Sequence, residues 1–265
     1  MEISMGTIES TTPKTQVNRM SIIVWGPSGS GKTTLAATLP RPILWINFDP
    51  DGTSSLMDQD DIHILDFSME KDNKIVTFKN ETAGGLKQIL EEHPEIQSVA
   101  VDSITSFNYM ALRHGVTEVK NATLEAPSLA GYGRRNSYTM QMIMRIILVT
   151  GRLNKHVMFI AHEDAPQKDE MSGAVMVSIL VGGKMQSEIP IKLSEVWHLE
   201  DTGKERKITV RANRMKKPMK SRMFKQGAKT DFTWRFDPET WEGDGIEDWY
   251  NQWVANNGQK IDIPK

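Results

Sequence analysis

The sequence predicts an α/β fold in which a mostly parallel sheet is flanked by helices and closes with an antiparallel hairpin. Three observations predict it: short apolar runs of strand length, helical stripes between them, and hairpin spacing after Glu195. The first run, Met20 to Trp25, stops at a glycine, in the manner of a strand buried on both faces. A helix is expected from Lys32 to Leu39, stopped by Pro40 and Pro42. Ile43 to Phe48 repeats the strand pattern, and Ile62 to Phe67 and Lys74 to Phe78 do so more weakly. Leu86, Ile89 and Leu90 share one helical face, in a helix that ends before Pro94. Val99 to Val101 is the next strand, Ile104 to His114 the next helix. Met140, Ile143, Met144, Ile147 and Leu148 form a helical stripe, followed by a strand over Val157 to Ala161. Glu195 to Leu199 and Arg206 to Ala212, joined around Asp201-Thr202-Gly203, read as the hairpin. Two long stretches show no period, Val116 to Gly133 and Glu163 to Gly183, and loops of that length are usually functional or mobile.

Composition narrows the classes. The chain has 265 residues, 25% charged and 38% hydrophobic, which is globular rather than disordered or collagen-like. There are no cysteines, so disulfides, thiolate metal sites and cysteine nucleophiles are excluded. The apolar stretch Met140 to Val149 is broken by Gln141 and Arg145, and no signal pattern opens the chain, so no membrane partner and a cytoplasmic location are expected. The net charge of −2 conceals a polarity. Gly203 to Lys229 carries eleven Lys and Arg against Glu205, whereas Thr230 to Lys265 carries eight acids against three cations. The expected organisation is a flexible lead over residues 1–18, a core over 19–229 and an acidic tail over 230–265. Trp234, Trp241, Trp249 and Trp253 lie in that tail, where they either pack on the core or accompany a segment that screens the basic block.

One motif carries chemistry. Gly26-Pro27-Ser28-Gly29-Ser30-Gly31-Lys32-Thr33 satisfies G-x-x-x-x-G-K-[ST] at every position, a match that chance would supply in about 1% of such chains. It sits between a strand and a helix, where a phosphate loop must be. Glycines let main-chain N–H groups face phosphate oxygens, Lys32 brings a mobile charge, and Thr33 offers a hydroxyl to magnesium. Thr34 is a further phosphate contact. Asp102, ending the apolar Val99-Ala100-Val101, is the expected second metal residue, with a plain helix cap as the alternative. Asp49 and Asp51 are the candidates for a water-orienting carboxylate, although the turn Asp49-Pro50-Asp51-Gly52 uses residues that also shape turns.

Together the phosphate loop through Thr34, the Val101-Asp102-Ser103 strand end and Ile160-Ala161-His162-Glu163 resemble the RecA/Rad-type recombinase core, and within it the compact phage RecA-like single-strand annealing ATPases. The resemblance covers about Met20 to Arg214. It implies a RecA-like ATPase that uses ATP and Mg²⁺, with Lys32, Asp51, Asp102 and His162 as catalytic residues, Thr33 and Asp102 at the metal, and Gly26 to Thr34 around the nucleotide. Asp51 takes the place of the usual glutamate, one methylene longer, with Asp49 as its alternate. His162 takes the place of a γ-phosphate sensor. The resemblance further implies single-stranded DNA as partner, contacted by the two long loops and by Tyr132, Arg134 and Arg135, assembly into a homo-oligomeric ring or filament, and a single-strand binding protein as a further partner. Arg211, Arg214, Lys216 and Lys217 are its candidates for a cation offered to a neighbouring subunit's nucleotide. The implied role is ATP-dependent annealing or strand exchange, in host cytoplasm if phage-encoded. A helicase or helicase loader, a small-molecule kinase, and a DNA-binding protein gated by nucleotide with little turnover are the rivals.

Overall fold

The computed structural model describes residues 4–5, 8–9, 19–56, 59–68, 82–168, 173, 175–213, 216, 219–225, 227 and 229–264. The strand expected over Lys74 to Phe78 lies outside the described residues, as does most of 1–18, in which Ser4–Met5 pairs with Ile8–Glu9.

Eight strands form the main sheet. In chain order they are β1 (Ser21–Gly26), β2 (Ile43–Asn47), β3 (Ile62–Asp66), β4 (Ser98–Asp102), β5 (His156–His162), β6 (Glu195–Asp201), β7 (Arg206–Thr209) and β8 (Asp231–Trp234). Their spatial order is β8-β7-β6-β1-β5-β4-β2-β3. Every pair from β6 to β3 is parallel, while β7 and β8 run antiparallel. The helices are α1 (Lys32–Ala36), α2 (Thr82–Glu92), α3 (Ile104–Thr117), α4 (Leu129–Arg152), α5 (Met185–Ile191) and α6 (Ile246–Ala255).

The parallel inner strands β1, β2, β4 and β5 are apolar through their middles because both faces are covered. Along β1, Ile23 and Trp25 join a core with Leu86 of α2, Phe107 of α3, and Ile143 and Ile146 of α4. Ile22 and Val24 join the opposite core with Leu35 of α1 and Ile246 and Trp249 of α6. The acidic C-terminal stretch therefore packs. Its strand β8 extends the sheet, and Trp249 meets Trp197, Phe224 and Phe232 at ring centroid distances of 6.0, 5.8 and 5.4 Å. Among the described residues no helix is long and apolar enough to cross a membrane.

The first long loop is shorter than its sequence indicates. α3 continues to Thr117 and α4 begins at Leu129, where Ser128 caps it by accepting from the Gly131 N–H at 3.2 Å. Gly131 and Gly133, with a polar run after them, hide the helical period. A β-carbon at Gly115 would lie 3.1 Å from the Gly131 carbonyl oxygen, so two glycines let α3 and α4 cross closely. Tyr132, Arg134 and Arg135 accordingly stand on a helix rather than in a loop. Within the second stretch, Gln167–Lys168 pairs antiparallel with Val175–Met176.

Truncating the tail's buried anchor checks this packing. Trp249→Ala is expected to cost about 3 to 5 kcal/mol in urea unfolding, whereas an unattached tail would give no change.

Candidate nucleotide site

At the C-terminal ends of β1, β2, β4 and β5 the structure opens a cleft of about 500 Å³, lined among others by Ser28, Lys32, Thr33, Thr34, Asp49, Asp102, His162 and Arg206. Parallel strands that end on one edge bring residues distant in sequence to the same place. The loop from β1 to α1 passes tightly against β6: a β-carbon at Gly26 would lie 1.9 Å from the Leu199 carbonyl oxygen, so only glycine fits. Gly31, at φ 94°, turns the chain into α1.

Lys32 is buried beneath this loop. Its Nζ donates to the carbonyl oxygens of Gly26 at 3.0 Å and Pro27 at 2.5 Å, and to Ser30 Oγ at 3.4 Å. Gly26, Pro27 and Ser30 thus hold the lysine from behind and do not line the cleft. Burial brings the ammonium down to about 8, against the pull of Asp102, Asp49 and Glu163. Beside it, Thr33 Oγ1 donates to Asp102 Oδ2 at 3.0 Å. Asp102 is almost fully buried, and its carboxyl is pushed up to about 7 by burial first and by the Asp49 charge second. Thr33, His162 and Lys32 offset only part of that rise.

Asp49 lines the cleft and Asp51 does not. Asp51 is exposed on the turn at φ 56°. Burial raises the Asp49 carboxyl, but hydrogen bonds from His162, Ser106 and Ser103 outweigh it and leave the group below its usual range. His162 Nε2 is 3.3 Å from Asp49 Oδ2, and Ser103 Oγ donates to Asp49 Oδ1 at 3.1 Å. The His162 main-chain N–H donates to Thr105 Oγ1 at 2.9 Å, which locks the end of β5 to α3. Sequence reading missed Asn47. This buried side chain donates to the Asp49 carbonyl at 2.9 Å and to Asp66 Oδ1 at 3.0 Å, and accepts from the Asp49 N–H at 3.3 Å. An asparagine ending an apolar strand was its only sequence signal.

Behind His162, Glu163 Oε2 lies 2.5 Å from Nε2 of the buried His198, and Lys216 pairs with Glu200 at 2.6 Å. Arg211 donates to the Gly227 carbonyl at 2.6 Å, and Arg214 and Lys217 lie outside the described residues. Arg134 pairs with Glu118 at 2.6 Å, and the Arg135 guanidinium sits 4.9 Å from the Tyr132 ring centre. Among the described residues no group of three or more His, Asp or Glu side chains is placed to hold a metal.

A sequence family described as an AAA domain matches residues 18–227. The chain belongs to the AAA domain family. Its core joins a phosphate-loop motif to an α/β fold with the parallel sheet, flanking helices and C-terminal antiparallel strands described above. Among solved structures, the crystal structure of the RadB recombinase is similar at a TM-score of 0.47 and 15% identity, over 83% of this chain and 88% of that one. No curated protein matches this chain.

The buried carboxyl has a pH signature. Between about pH 4 and pH 7 the folded protein keeps a proton on Asp102 that the unfolded chain has lost, so this group subtracts stability as pH rises through that window. Asp102→Asn, neutral throughout, is expected to raise ligand-free stability by about 2 kcal/mol at pH 8 and to leave it unchanged at pH 4. Equal gains at both pH values in urea unfolding would contradict the assignment.

Proposed function

We propose that this chain is an ATP-dependent, single-stranded-DNA-binding recombination protein that promotes annealing or strand exchange. One observation carries the nucleotide half of the reading: Lys32, Thr33, Asp102, Asp49 and His162, drawn from four strand ends, face a single cleft of nucleotide size. Lys32 would neutralise the β- and γ-phosphates, with Ser28, Gly29, Gly31, Thr33 and Thr34 around them. The Thr33 hydroxyl and the Asp102 carboxylate are hard oxygen donors already in contact, and they fit a magnesium ion that takes its remaining ligands from phosphate and water. Bound there, the ion would neutralise charge on the transferring phosphate.

We assign the water-orienting role to Asp49 rather than Asp51, because Asp49 faces the cleft and meets His162. His162, at the end of β5, would report the terminal phosphate to the segment that follows it. For DNA, the reading carries over the loops that the resemblance implies, Val116 to Gly133 and Glu163 to Gly183, and is supported by the Tyr132–Arg135 pair, an aromatic ring beside a cation as strand stacking requires. Assembly into a homo-oligomer and a cytoplasmic setting belong to the same proposal. The carboxylate offered here is an aspartate, one methylene shorter than the glutamate the resemblance implies, and nucleotide-gated DNA binding with little turnover is the second reading.

ATP hydrolysis with and without single-stranded DNA, run beside annealing of complementary oligonucleotides, tests this. Lys32→Ala is expected to abolish nucleotide binding. Asp49→Asn should bind ATP but turn over about a hundredfold more slowly, with Asp51→Asn close to wild type. Turnover lost in Asp51→Asn and kept in Asp49→Asn would reverse the assignment. Absence of annealing in the wild-type protein with ATP would end the recombination reading.

A further inference from the structure

The phosphate loop is touched from outside by the C-terminal strands. Register sets Asp201 of β6 opposite Arg206 of β7, and Arg206 opposite Trp234 of β8, so the three share one face of the sheet. Trp234 is buried, donates from its indole to the Asp244 carbonyl at 2.8 Å, and stacks on Phe236 at 5.5 Å between ring centres. Arg206 lies over that indole, 5.7 Å from the ring centre, and its Nε is 3.7 Å from Asp201 Oδ2. Both residues abut the loop. A β-carbon at Gly31 would lie 3.3 Å from Trp234 Cζ3 and 3.4 Å from Arg206 Nε.

Arg206 lines the phosphate cleft and also a second cleft of about 500 Å³, whose other walls include Lys204, Thr233, Trp234 and Phe236. The sheet order gives this junction a direction. β5, β4 and β2, which bring His162, Asp102 and Asp49, lie on one side of β1, and β6, β7 and β8 lie on the other. A terminal phosphate placed among those acids leaves the inner phosphates and nucleoside on the Arg206 side.

We infer that Arg206 is a nucleotide-binding residue supplied by the same chain, its guanidinium pairing with the phosphate next to the nucleoside; this rests on the nucleotide reading above. A structural arginine held by Asp201 alone is the competing account. That ion pair is long and both partners are partly exposed, so it contributes little. A guanidinium lying over an indole keeps its fork of donors available, which suits phosphate.

Calorimetric titration of the full chain with ADP and with ATP, in the presence of Mg²⁺, tests the assignment. Arg206→Met keeps a stem on Trp234 and removes the fork, and it is expected to weaken ADP and ATP alike by about tenfold. Arg206→Lys keeps the charge opposite Asp201, replaces the methionine variant should that one not fold, and is expected to lose less. Wild-type affinity for ADP in either variant that lacks the fork overturns the inference. A loss confined to ATP also overturns it, because it would put the guanidinium on the terminal phosphate. If the wild-type chain takes up neither nucleotide, the nucleotide reading itself fails, and the two failures are therefore distinguishable.

Discussion

A carboxyl group taken out of water at the end of β4 is what the rest of the site is arranged around. Asp102 is costly to keep there, and its tendency to hold a proton near neutrality is the measure of that cost. Its surroundings are a hydroxyl from Thr33, a buried ammonium from Lys32 and a second carboxylate from Asp49, none of which removes the cost in the ligand-free chain. A divalent cation with a polyphosphate would satisfy both carboxylates and the ammonium at once. The protein has thus placed at one edge of its sheet a set of charges that are better matched by a ligand than by one another.

Sheet order makes this set possible. β1, which delivers the loop, has β5 on one side and β6 on the other, and β4 and β2 follow β5. The acids and His162 therefore converge from one direction, and the antiparallel strands β7 and β8 close the other. Those late strands are also tied to the core by α6, through Trp249 and its aromatic neighbours. Residues far apart in sequence, Gly31 and Trp234 among them, are in consequence within contact of each other.

Much of this was legible in the sequence, for identifiable reasons. A parallel sheet buried on both faces writes itself as continuous apolar runs, so β1, β2, β4 and β5 were readable, and residues directly after such runs could be named as site candidates. The phosphate loop announced itself by spacing. The choice between Asp49 and Asp51 was not readable, because both sit on one turn and only the fold decides which faces inward; Asn47 makes that decision by bonding the Asp49 main chain. Arg206 was invisible as a site residue, since it depends on register across three strands and no local pattern records that. The start of α4 was obscured by Gly133 and by Gly131, the latter lying at the close crossing with α3.

The central claim is that the cleft above Lys32, Thr33 and Asp102 holds a magnesium nucleotide. Heat of binding on mixing folded, full-length protein with ADP and Mg²⁺ tests it most directly. The account predicts saturable uptake of one nucleotide per chain, abolished by chelating the metal or by removing the Lys32 amine. Folded protein that releases no binding heat with either ADP or ATP, across salt and pH, would contradict it.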